Sequence, residues 1–369
     1  MKIPQRYKHT EFGLIPDDWV LCTFKDVLTT FSSGATPYRG IPEYYNGNIR
    51  WISSGELNYN VIYDTIEHIS ANAVRNTNLH ILNPSTFLMA ITGLEAEGTR
   101  GKCAFVGAPA TTNQSCLAIN GTDRMCVEYL FWFYRMWGDY LAFKYCQGTK
   151  QQSYTAEIVK KLPIYCPITI KEQNKIAEAL SDVDALITAL DKKIAKKRLI
   201  KQGAMQQLLT GKKRLCGFSD EWTIKRLGDL AKMNSGGTPD SSNSEYYGGD
   251  IPFLSISDIT STNKYISRTE KTITEKGLRN SSARIFPIKT IMYAMYASLG
   301  KCGIANISLS CSQAILGITP SKNIDTEYLY YILSYIEETV KEFGQTGTQT
   351  NLSKKIYLTK VGGFFNFLP

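Results

Sequence analysis

The chain has 369 residues, too many for one ordinary core and enough for two domains of common size. Hydrophobic residues make up 43% and charged residues 20%, a balance that excludes global disorder. With 42 basic against 33 acidic residues the net charge is +9, which makes a polyanionic partner worth testing but establishes none.

The opening Met1-Lys-Ile-Pro-Gln-Arg-Tyr-Lys8 turns polar at once and lacks the apolar centre of a secretory signal. No later run approaches the roughly 18 apolar residues that span a bilayer, so a cytoplasmic location is expected. The nine cysteines are odd in number, form no Cys-x-x-Cys pair and have only three histidines to join them, which points to reduced thiols rather than a zinc site or disulfide framework.

The chain repeats itself. Asp18-Trp19 returns as Glu221-Trp222, and Gly34-Ala-Thr-Pro37 as Gly236-Gly-Thr-Pro239. Glu43-Tyr-Tyr-Asn-Gly-Asn-Ile-Arg-Trp-Ile-Ser53 matches Glu245-Tyr-Tyr-Gly-Gly-Asp-Ile-Pro-Phe-Leu-Ser255 at a constant offset of 202. Further on the offset becomes 199, pairing Gly101-Lys-Cys103 with Gly300-Lys-Cys302, Gln114 with Gln313, and Gly148-Thr149 with Gly347-Thr348. The change falls where the first copy carries the extra loop Gly93–Gly98. One offset kept through separate blocks marks a duplication. Each copy reads as mixed and mostly β, with short strands such as Ile49–Ser53 and Ile251–Ser255 and an aromatic helical stretch at Glu128–Tyr145 and Glu327–Phe343.

Between the copies, Ile176, Leu180, Val183, Ile187, Leu190 and Ile194 recur at steps of four and three, the seam of a coiled coil. No proline interrupts Ile170 to Leu209, so a helix of about 60 Å is expected, with Gly203 a weak point and Gly211 its stop. Lys192 to Arg214 holds nine Lys or Arg and no acid, which suits either a solvated helix face or phosphate contacts. The fold class expected is α+β: two tandem, duplicated, mostly-β domains joined by a long coiled-coil helix.

No catalytic constellation stands out. Gly93–Gly98 has the glycine spacing of a phosphate loop, but Thr99-Arg100 follow where Lys-Ser/Thr should. No Asn-Pro-Pro-Tyr or Asp-Pro-Pro-Tyr motif for methyl transfer occurs, Asp191-Lys-Lys193 has no partnering acids, and His9, His68 and His80 are scattered. What remains is a binding architecture, two modules at a fixed separation, for which duplex DNA is the obvious regular ligand.

At this point the motifs resemble the specificity (S, or HsdS) subunit of type I restriction-modification enzymes. The resemblance covers essentially the whole chain: the lead-in Tyr7–Trp19, the Gly-x-Thr-Pro turns with Glu-Tyr-Tyr, Gly101-Lys-Cys-Ala-Phe105, Ala110–Gln114, and above all Glu172–Asp184 followed by Met205-Gln-Gln-Leu-Leu-Thr-Gly211. It implies a first target-recognition domain at 1–169, a conserved helical spacer at 170–215 and a second target-recognition domain at 216–369. It further implies that each domain reads half of a bipartite double-stranded DNA site, and that this chain is itself non-catalytic. Methyltransferase (M, HsdM) subunits would carry S-adenosylmethionine and methylate adenine N6; restriction (R, HsdR) subunits would use ATP and Mg to cleave. No metal or cofactor is expected on this chain. On the repeat offset a second helical region would fall at 370–414, past Pro369, and a chain lacking it is expected to be impaired and to self-associate through the central helix. The competing reading is a two-module scaffold for protein or carbohydrate, which explains the repeat but not the basic spacer or the motif string.

Donor-rich loops are the candidates for DNA contact, since Gln and Asn pair bidentately with adenine and Arg or Lys with guanine. In the first copy these are Arg39, Arg50, Lys102, Asn113, Gln114, Lys150, Gln151 and Gln152. In the second they are Ser257, Lys301, Ser312, Gln313, Gln345, Gln349 and Asn351. Gly34, Thr36, Gly236 and Thr238 are expected to shape turns instead.

Overall fold

The computed structural model describes residues 6–96, 98–148, 152–344 and 366–367, which form two compact units, Met1–Asp191 and Lys192–Pro369. In the first, a five-stranded sheet runs in the order Thr29–Ser33, Cys116–Asn120, Phe87–Ala90, Cys103–Val106, Asn60–Ile62, antiparallel until its last, parallel pair. A second sheet places Ile49–Ile52 between a parallel neighbour, Ala110–Thr112, and an antiparallel one, Glu67–Ile69.

The second unit repeats this strand for strand. Its five-stranded order is Ala231–Ser235, Ile315–Pro320, Ile291–Ala294, Cys302–Ala305, Tyr265–Ile266, with the same final parallel pair. Its other sheet sets Tyr247–Leu254 between parallel Ser310–Cys311 and antiparallel Lys271–Ile273. The pair Val20–Thr23 with Pro163–Cys166 has its counterpart in Thr223–Ile224 with Asn366–Phe367. The duplication read from sequence offsets is thus a duplication of topology.

The central strands are buried on both faces, which is why they are continuous apolar runs rather than alternating ones. Phe87–Ala90 and Ile291–Ala294 are fully buried. In the second unit the two-residue period splits them cleanly: Ile291 and Tyr293 face a core shared with Leu329 and Leu333, while Met292 faces another with Phe286 and Leu309.

The aromatic stretch of the first copy is one helix, Val127–Tyr145, but in the second it breaks into Thr326–Tyr335 and Glu337–Gly344. The offset of 199 explains the difference. Gly101, at φ +70°, lies against Gly138, where a Cβ would come within 3.0 Å of the Gly101 Cα. In the second copy Gly300 meets Glu337 instead, and the helix is interrupted at Ile336, just before the bulkier residue must be accommodated.

Ile170–Leu208 is a single helix of 39 residues, about 58 Å long at 1.5 Å per residue. Gly203 does not break it. Past its end Gly211 takes φ +71° and Lys213 N donates to Gln207 O at 3.0 Å, closing off the last turn.

Candidate nucleic-acid interface

The Gly-x-Thr-Pro motif is a clamp. A Cβ on Gly34 would lie 1.8 Å from the Thr112 carbonyl oxygen, and one on Gly236 would lie 2.2 Å from that of Cys311. Only glycine permits the backbone to run so close, and the next residue uses the approach. Ala35 N donates to Thr112 O at 3.1 Å, and Gly237 N donates to Cys311 O at 2.9 Å. The threonine then reaches the loop beyond: Thr36 Oγ1 donates to Gln114 Oε1 at 2.5 Å, and Thr238 Oγ1 donates to Gln313 Oε1. The motif's second tyrosine closes the turn, Tyr45 donating to Pro37 O at 2.6 Å and Tyr247 to Pro239 O at 2.7 Å. Capping boxes at Ser53–Glu56 and Ser255–Asp258 fix the neighbouring turns in both copies.

These clamps gather several loops at one end of each five-stranded sheet. In the first unit Ala90 N donates to Lys102 O (3.0 Å), Ile91 N to Ser115 O (2.9 Å), Leu94 N to Gln152 O (3.1 Å), and Tyr154 N to Ile91 O (2.8 Å). Lys102, Asn113, Gln114 and Gln152 therefore converge with the Gly93–Gly98 loop. In the second, Ala294 N donates to Lys301 O (2.8 Å), Met295 N to Ala314 O (2.9 Å) and Ser312 N to Leu254 O (3.2 Å), which brings Lys301, Ser312 and Gln313 together. Ser257 sits one turn beyond Leu254, its hydroxyl 2.7 Å from that of Ser255.

The four basic candidates among the described residues, Arg39, Arg50, Lys102 and Lys301, are engaged within the protein. Lys102 donates to Asn58 Oδ1 at 2.8 Å and lies 4.5 Å over the Tyr59 ring, while Lys301 is 3.2 Å from Glu337. Arg50 belongs to the three-stranded sheet instead, and Arg39, in a turn, reaches its edge strand. Arg39 donates twice to Glu67, at 2.5 and 2.7 Å, and stacks 4.3 Å from the Tyr45 ring. Those donated bonds hold the Glu67 carboxyl below the usual carboxylate range. Arg50 is 3.5 Å from Asp64, whose carboxyl is lowered by the Thr65 backbone N–H and then by His68. Of the two acids, Asp64 is itself exposed and Glu67 partly so. Lys150, Gln151, Gln345, Gln349 and Asn351 lie outside the described residues.

Sequence reasoning missed the Thr36–Gln114 and Thr238–Gln313 bonds. The signal was present, since threonine and glutamine recur together in both copies, but their partners are 78 and 75 residues apart. On the central helix Leu180, Val183, Ile187, Leu190 and Ile194 are exposed, an open apolar stripe where the seam was expected, and Ile176 packs partly against the first core. All nine cysteines are free, and burial pushes the Cys302 and Cys311 thiols up to about 12, which keeps them protonated at neutral pH. Among the described residues no cluster of His, Cys, Asp and Glu could hold a metal, and no helix is long and apolar enough to cross a membrane.

The model of the family described as type I restriction modification DNA specificity domain matches residues 16–198 and 219–357. The type I restriction enzyme MjaIX specificity subunit of Methanocaldococcus jannaschii is 38% identical over 113 residues, 30% of this chain and 26% of that one, so the match spans about a quarter of that protein's own length. The putative MjaX specificity subunit of the same organism is 25% identical over 371 residues, covering 95% of this chain and 84% of that one. Among solved structures, the S subunit of the type I restriction-modification system from M. genitalium superposes with a TM-score of 0.61 at 16% identity, covering 92% of this chain and 83% of that one, a likeness of fold.

Proposed function

Since the chain belongs to the type I restriction-modification DNA specificity family, a family of non-catalytic specificity subunits, we propose that its two modules read the two halves of one bipartite DNA site. The observation that carries this reading is the doubled clamp: the same strand order, and the same threonine–glutamine bond, present two loop clusters built alike but differing in sequence. Two such surfaces suit two different half-sites. Base contacts come from the converged loops around Asn113, Gln114 and Gln152 in one module, and around Ser312 and Gln313 in the other. Arg39, Arg50, Lys102 and Lys301 exchange their internal partners for phosphates, which position the protein without specifying sequence.

In the same reading the central helix sets the gap between half-sites, and its open apolar stripe docks methyltransferase subunits. Those subunits supply S-adenosylmethionine for adenine-N6 methylation, and restriction subunits supply ATP- and Mg-dependent cleavage, all in the cytoplasm. The test is selection of duplexes from a random library by the chain assembled with its methyltransferase subunits. One motif with two specified halves and a fixed unspecified gap is expected, bound more weakly as salt rises. A single contiguous motif, or none, contradicts the reading.

A further inference from the structure

The central helix leaves the first unit through an unusual root. Gln173, in its first turn, is fully buried, the one buried amide side chain among the described residues. Its Nε2 donates to Arg124 O and to Pro167 O, both at 2.9 Å, and its Oε1 accepts from Cys126 N at 3.0 Å. A single side chain thus joins the turn before the aromatic helix, the strand that feeds the central helix, and that helix itself. Cys126 caps the aromatic helix, so the amide couples the starting points of both helices.

From there the two helices run side by side in the same direction. Trp132 Nε1 donates to Ser181 Oγ at 3.1 Å, and Arg135 donates to Asp184 Oδ1 at 2.9 Å, both across 49 residues. Ala177, 2% exposed, lies between Gln173 and Ser181 on the same face of the helix. Gln173, Ala177, Ser181 and Asp184 fall within one quadrant of the helix, and the apolar stripe occupies another. The root therefore uses polar, directional contacts that fix tilt and rotation, where apolar packing alone tolerates slippage.

The lever is long. Lys201 lies 28 residues beyond Gln173, about 42 Å at 1.5 Å per residue. A wobble of about 5° at the root moves that point by about 3.7 Å, comparable with one base-pair step of about 3.4 Å. We propose that Gln173, supported by the Arg135–Asp184 pair, is the positioning residue that fixes how the helix leaves the first module and thereby which gap between half-sites the protein accepts. This rests on the bipartite reading above.

The experiment measures methylation by the full chain with its methyltransferase subunits, on duplexes whose gap is the preferred length or one base pair shorter or longer. Asp184→Arg, which removes one ion-paired hydrogen bond, reduces the preference for the correct gap by about tenfold. Gln173→Ala, which removes three hydrogen bonds, reduces it by at least as much, and both leave the half-site sequences unchanged. The charge swap Arg135→Asp with Asp184→Arg restores the preference. A rate that falls equally on all three gaps, or an unchanged preference, overturns the proposal. If circular dichroism shows that Gln173→Ala does not fold, Asp184→Arg and its swap decide, because both side chains of that pair are partly exposed. A wild-type chain with no gap preference overturns the bipartite reading, and this inference with it; variants that keep the wild-type preference overturn this inference alone.

Discussion

Gly34 and Gly236 are where single atoms decide the geometry of each loop cluster. Any side chain at Gly34 must push the Thr112 carbonyl aside, since even a Cβ falls 1.8 Å from it. Gly34→Ala should therefore cost at least about 1–3 kcal/mol of stability, as overpacking does, whereas Gly98→Ala, with nothing within 4 Å, should cost far less. Urea unfolding of the two variants compares them directly. In the proposed reading the glutamines held by the clamps serve base recognition rather than folding. Gln114→Ala should alter preference in one half-site only and Gln313→Ala in the other, each by about 1–3 kcal/mol if a bidentate contact is lost. Competition among half-site variants measures it, and a change in both halves from one substitution would count against the assignment. The motif residues of these clamps were legible because they recur at one offset. Their partners were not, because a bond between Thr36 and Gln114 leaves no local pattern in the chain.

Among the elements, the central helix was the most legible, from its heptad spacing and absence of proline, and its docking face the least. The heptad spacing does not mark Ser181 and Asp184 as the partners of Trp132 and Arg135. The break at Ile336 was equally hidden, because it follows from Glu337 standing where the first copy has Gly138. Gly203 is surrounded by open space within the helix, so Gly203→Ala should stabilise it by roughly 0.5–1 kcal/mol, read from the helical signal during unfolding. The exposed stripe should drive association when the chain is purified alone, because burial of each such side chain stabilises by roughly 1.5–3 kcal/mol. Ile187→Asp with Leu190→Lys should yield a monomer by light scattering and also weaken methyltransferase-subunit binding. Wild-type chain that remains monomeric at high concentration would refute that role. Insertion of four residues near Ala195 lengthens the helix by about 6 Å and should widen the accepted gap by about two base pairs. Seven residues should disturb the stripe less than four.

For the whole molecule, the repeated strand order makes each module a complete fold with its own core, so reading should be separable by module. The duplication was plain in the sequence, as two offsets and one extra loop. The directions of the Gln114 and Gln313 side chains were not legible, because they are set by contacts across 75 residues or more. The most direct measurement is genome-wide mapping of adenine methylation made by the chain with its methyltransferase subunits, for the wild type and for a chimera. In the chimera, residues 216–369 are replaced by the corresponding module of another specificity subunit. The account predicts that one half of the methylated motif changes while the other half and the gap stay as they were. A motif that changes in both halves, or in neither, would contradict it.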